Sequence, residues 1–114
     1  MFMKKSEIKF IIELDDKNIP EKILWEATDG PSDRLQSTDA ISVAIWDHVQ
    51  LNTMRMDLWT KEMPTLEMKR FFIEAIGGMA DTVQNATGDN KMAEHIRACC
   101  KTLVAHVKEL EEGK

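Results

Sequence analysis

Ala40-Ile41-Ser42-Val43-Ala44-Ile45-Trp46, followed after a short gap by Met54-Arg55-Met56-Asp57-Leu58-Trp59, is the stretch that decides the fold. Ile41, Val43 and Ile45 alternate with Ser42, Ala44 and Trp46, while Met54, Met56 and Leu58 alternate with Arg55, Asp57 and Trp59. A period of two marks strands. Keeping the apolar faces together across a hairpin opposes Ile45 to Met54, Val43 to Met56 and Ile41 to Leu58, with the turn near residues 48–51. This register sets Trp46 near the turn and Trp59 about 20 Å away, at about 3.3 Å per residue, so the two indoles do not touch.

Upstream, Ile8, Phe10, Ile12 and Leu14 alternate with Glu7, Lys9, Ile11 and Glu13, giving a strand expected to bury the first set. The turn-forming run Asp15-Asp16-Lys17-Asn18-Ile19-Pro20 leads to Ile23, Trp25 and Ala27, which alternate with Lys22, Leu24 and Glu26. This reads as a first hairpin. The polar residues 29–39, which include Gly30-Pro31, are expected to form a mobile loop.

Downstream, the period changes to that of a helix. Pro64 suits a first turn, and Met68, Phe72, Ala75, Ile76, Met79 and Val83 gather into one stripe. Gly88-Asp89-Asn90 breaks the run and offers an N-cap. A second helix over residues 91–111, about 30 Å long at 1.5 Å per residue, carries Met92, Ile96, Cys99, Leu103, Val107 and Leu110. Strands followed by helices indicate α+β. The expectation is a single α+β domain over residues 1–114: a four-stranded antiparallel sheet of two hairpins, followed by two C-terminal helices packed on one face.

The chain has 114 residues, of which 43% are apolar and 31% charged, enough to fill a core and stay in solution. Fifteen Lys and Arg against 20 Asp and Glu give a net charge of −5. The basic residues are spread singly, so nucleic acid is not an expected partner. No segment is apolar for long enough to insert in a membrane or to serve as a secretory signal, so a cytoplasmic location is expected. The two cysteines, Cys99 and Cys100, are adjacent and read as free thiols.

Little here calls for chemistry. His95, Cys99, Thr102 and His106 share a helix face at metal-like spacing. Cys99 belongs to the apolar stripe, however, and the helix supplies no fourth ligand, so a buried thiol beside surface histidines is the plainer reading and no metal is expected. Asp15, Asp16, Asp29, Asp47 and Asp57 read as turn formers or solvated charges. No phosphate-binding glycine loop and no nucleophile elbow occur, so no catalytic residue, no cofactor and no enzymatic activity are expected. Gly77-Gly78 lies within a helix, where each glycine costs about 1 kcal/mol relative to alanine; close approach of another backbone is preferred to a hinge.

The outward sheet face is more informative. It would carry Ile11, Leu24, Trp46 and Trp59 among Lys9, Glu13, Lys22, Glu26, Arg55 and Asp57. Two tryptophans are a large apolar load to leave in water, so these four residues are candidates for binding a protein partner or a second copy of the chain. A small-ligand carrier is the alternative, with Met54, Met56, Met68, Met79 and Met92 lining a pocket between helices and sheet.

Several segments together resemble the gliding motility-associated GldC family. They are Lys4-Lys5-Ser6-Glu7-Ile8-Lys9, Glu13-Leu14-Asp15-Asp16, Ile19-Pro20-Glu21-Lys22-Ile23, Trp25 and Ala27-Thr28-Asp29-Gly30. The most specific is Met56-Asp57-Leu58-Trp59-Thr60-Lys61-Glu62-Met63-Pro64 with Glu67-Met68-Lys69, preceded by Trp46-Asp47; Ala80-Asp81-Thr82 and Ala86-Thr87 extend it. The resemblance spans about residues 4 to 92 and leaves out residues 33–38, Gly77-Gly78 and residues 95–106. It implies a small accessory protein associated with gliding motility, in the cytoplasm and without enzymatic activity.

Overall fold

The computed structural model describes residues 4–29 and 34–113. The chain divides into a strand unit, Met1–Met63, and a helical unit, Pro64–Lys114. The strand unit contains β1 (Ile8–Leu14), β2 (Pro20–Ala27), β3 (Gln36–Thr38), β4 (Ala40–Asp47) and β5 (Asn52–Trp59). The helical unit contains α1 (Thr65–Thr87) and α2 (Asn90–Glu112).

Both expected hairpins form, and both are antiparallel. In the second, Ile45 faces Met54, Val43 faces Met56 and Ile41 faces Leu58, as the apolar alternation requires. The first pairs Phe10 with Trp25, Ile11 with Leu24 and Ile12 with Ile23, then shifts register between Glu13 and Leu14. The hairpins do not join into one four-stranded sheet. They belong to a three-stranded sheet of order β1-β2-β3 and a two-stranded sheet β4-β5.

The cause is a strand within the stretch expected to be loop. Gln36–Thr38 forms β3 and occupies the free side of β2, with Ile23 opposite Thr38 and Trp25 opposite Gln36. The chain then turns at Asp39. The Thr38 hydroxyl donates to the Ala40 carbonyl (3.1 Å) and accepts from the Ala40 N–H (3.4 Å), so β3 ends at a corner and β4 starts a second sheet. Residues 30–33 of the expected loop lie outside the described residues.

Burial follows position in the sheets more than alternation. Ile23, on the central strand β2, is fully buried, whereas Ile8, Phe10 and Leu14 on the edge strand β1 are exposed despite lying on the face expected to be covered. Along the corresponding face of β4, exposure rises from 8% at Ile41 to 57% at Ile45. Met56 and Met54 on β5 stand at 54% and 62%. The base of this hairpin is packed and its far half is open.

The helices pair with each other through a two-residue connection. Gly88 takes the left-handed conformation (φ 74°) that closes α1, and its N–H donates to the Gln84 carbonyl at 2.9 Å. Asp89 is the N-cap of α2, its carboxylate accepting from the Met92 N–H at 2.9 Å. Pro64 stands one position earlier than expected, as the extended N-cap of α1 rather than within its first turn. The α2 stripe is also shifted: Ala93, Ile96, Arg97, Cys100, Leu103 and Val107 are covered, while Met92, Cys99 and Leu110 are exposed. Within α1, Met79 is exposed and the neighbouring Ala80 is fully buried. Arg97 explains much of the rotation. It donates to Asp81 (2.7 Å) and Gln84 (2.8 Å) across the helix pair, and so turns its own position inward.

Candidate interaction surface

The β4–β5 hairpin is shaped by its turn. The Asp47 carboxylate accepts from the N–H groups of Val49 (2.9 Å) and Gln50 (3.1 Å), and the Leu51 N–H donates to the Asp47 carbonyl (2.8 Å). Leu51 closes the turn with φ of 56°, an uncommon conformation for a leucine. Trp46 pairs with Thr53 beside this turn and Trp59 pairs with Ala40 at the base, on the same face. Trp46 is 60% exposed and Trp59 48% exposed.

Between the indoles lies a fixed pair of charges. Asp57 accepts from the Ser42 hydroxyl across the strand at 2.6 Å and from the Arg55 guanidinium at 2.9 Å. The Ser42 hydrogen bond first, and Arg55 second, hold the Asp57 carboxyl below its ordinary value of 3.8. This face therefore presents two indoles separated by small residues and one ion pair held in place.

Ile11 and Leu24 are direct cross-strand partners, but in the other sheet. The four candidate residues thus fall into two pairs, and the single continuous face expected from alternation does not exist. Ile11 is exposed and Leu24 half-buried. Periodicity also missed the exposed apolar side chains on the reverse of the hairpin, Ile45, Met54 and Met56, together with Val49 and Leu51 in the turn. Their alternation was visible, but the missing cover was not.

The two sheets are joined at the base of the hairpin. Thr60 is buried and its N–H donates to the Asp39 carbonyl (2.8 Å), while the Lys61 N–H donates to the Pro20 carbonyl (3.1 Å). The Lys61 ammonium reaches Asp15 at 3.0 Å and Glu21 at 3.6 Å. Asp15 is more than a turn former. It accepts from the N–H groups of Lys17 (2.8 Å) and Ile19 (3.0 Å) as well as from Lys61.

The remaining candidates stay apart from any shared chemistry. His95, Cys99 and His106 are exposed on α2, and the Thr102 hydroxyl donates to the Ala98 carbonyl one turn earlier. Cys99 is thus a surface thiol; Cys100 is the half-buried one, its Sγ lying 3.7 Å from the Ile73 carbonyl. Among the described residues, no group of three or more His, Cys, Asp or Glu is placed to hold a metal ion. Of the five methionines named above, Met54, Met56, Met79 and Met92 are exposed and Met68 is half-buried. Among the described residues, no helix is long and apolar enough to cross a membrane.

The sequence model of one family, described as gliding motility-associated protein GldC-like, matches residues 20–109. The chain belongs to the GldC-like family. The match begins at the first residue of β2 and runs through both helices, so it takes in residues 33–38, Gly77-Gly78 and residues 95–106, where the segment-by-segment resemblance stopped. The paired indoles and the Ser42, Arg55 and Asp57 cluster all lie inside the GldC-like region, whereas Ile11 lies outside it. No curated protein and no solved structure matches the chain.

Proposed function

We propose that this GldC-like protein is a non-enzymatic accessory protein of gliding motility, working in the cytoplasm by protein–protein contact. The contact is made by the strand unit, with Trp46 and Trp59 at its centre and Ile11 and Leu24 on the neighbouring sheet. The observation that carries this reading is the pair of large aromatic side chains left about half exposed on one face of one hairpin. Tryptophan and arginine supply a disproportionate share of binding energy at protein interfaces, and here Arg55 stands between two tryptophans. Membership in a motility-associated family supports the cellular setting.

The test is complementation. In a gliding strain lacking its own copy, Trp46→Asp is expected to abolish colony spreading while leaving the circular dichroism spectrum of the purified protein close to wild type. Full spreading with Trp46→Asp would refute the reading.

A further inference from the structure

The hairpin carries an edge with which no strand of the described residues pairs. Asp39 and Thr60 form a hydrogen-bonded pair through the Thr60 N–H, so by the alternation of antiparallel ladders Ile41, Val43 and Ile45 bond towards β5. Ser42 and Ala44 then direct their N–H and C=O groups outward. Among the described residues no strand takes them. The two other long edges are guarded. β1 carries Lys9 and Glu13, and β5 carries Arg55 and Asp57, while the Lys61 N–H just beyond β5 is already held by Pro20. From Ala40 to Trp46, β4 has no charge and no proline. Exposed edges without such devices pair with other strands.

We infer that β4 pairs antiparallel with β4 of a second copy, giving a two-fold dimer built on a sheet of order β5-β4-β4-β5. This rests on the reading that the strand unit works by protein contact, and it names the contact. Only registers that keep the apolar faces together are allowed, and one of them matches side chains throughout. It sets Val43 against the partner's Val43, Ile41 against the partner's Ile45, Ser42 against the partner's Ala44, and Ala40 against the partner's Trp46. Main-chain exchange centres on Ser42 and Ala44, since the Thr38 hydroxyl already occupies the outward groups of Ala40.

Three features then acquire a reason. The open half of each hairpin, Ile45 with Met54, comes to lie beside the packed half of the other, Ile41 with Leu58. Trp59 and the partner's Trp46, far apart within one chain, flank the methyl group of Ala40 about 9.6 Å apart, two strand spacings of about 4.8 Å. Along the outward face Ala40, Ser42 and Ala44 are small and only Trp46 is large, so in this register each indole falls against a small partner, Ala40 of the other copy. The cost sits at the ends, where Asp39 faces the partner's Asp47, so added salt strengthens the dimer.

The test uses the full chain. Wild type is expected to sediment as a dimer, and Ala44→Lys, which places a charge on the edge, as a folded monomer by circular dichroism. With Cys99 and Cys100 replaced by serine, Val43→Cys is expected to form a disulfide-linked dimer on mild oxidation, because the paired residues on the axis stand about 4.5 Å apart between Cα atoms. Met56→Cys, on β5, is expected to remain unlinked. A monomeric wild type, or linkage through Met56→Cys in place of Val43→Cys, overturns the inference. If Ala44→Lys restores gliding while Trp46→Asp does not, the dimer is discarded and the motility reading stands.

Discussion

At the scale of single residues, the two glycines inside α1 separate once their surroundings are known. A Cβ at Gly77 would meet only the Cys100 sulfur, at 3.9 Å, and one at Gly78 would meet nothing within 4 Å. Close approach of α2 thus accounts for Gly77 in direction but does not demand it, and it does not account for Gly78. Gly78→Ala is expected to stabilise the protein by up to about 1 kcal/mol in thermal or urea unfolding, through the lower backbone entropy of the unfolded chain. Gly88→Ala is expected to do the opposite by about 1 kcal/mol, since its φ of 74° is the left-handed conformation that a Cβ opposes. Leu51 holds such a conformation already and is largely exposed, so Leu51→Asn is expected to stabilise by up to about 1 kcal/mol. Leucine at that point costs stability and presents an apolar side chain at the tip of the hairpin, in keeping with a surface kept for contact.

At the scale of elements, caps and ion pairs decide where strands and helices stop and how they are tied. The Asp89 side chain accepts from the Met92 N–H at the start of α2, and Asp89→Ala is expected to cost about 1 kcal/mol. The tie between the two sheets has a pH signature. Asp15 lies below its ordinary 3.8, held ionised first by the Ile19 N–H and then by Lys61, while Lys61 lies above its ordinary 10.5 because of Asp15. A lowered carboxyl contributes stability that is present above about pH 4 and lost as pH falls through its folded value; a raised ammonium contributes stability that is present below about pH 10 and lost as pH rises through its folded value. Stability measured by urea unfolding is therefore expected to be level in respect of this pair from about pH 5 to about pH 9. Asp15→Asn is expected to remove its share of the acid-side decline. The hairpins themselves were legible because alternation and turn residues are local properties. β3 was not, since a three-residue strand shows no period and forms only because the edge of β2 is there to receive it.

At the scale of the whole molecule, the apolar residues outnumber the places that cover them: among the described residues only Ile23, Ile41, Ala80 and Ala93 are buried apolar side chains. With the proposed dimer, the melting temperature is expected to rise with protein concentration for wild type and to stay constant for Ala44→Lys, measured by calorimetry at two concentrations. The sequence alone determined the class, the presence of both hairpins, the register of the second, the position of the helix break and the separation of Trp46 from Trp59, because each follows from the spacing of neighbours along the chain. Tertiary structure alone decided that the strands divide into two sheets and that Ile11 and Leu24 part from the two tryptophans. It also decided which side of α2 turns inward and where the open half of the hairpin lies, because these depend on the free edge of β2, the Thr38 corner and the Arg97 bridge, all made between residues that are distant in sequence or meet at a turn.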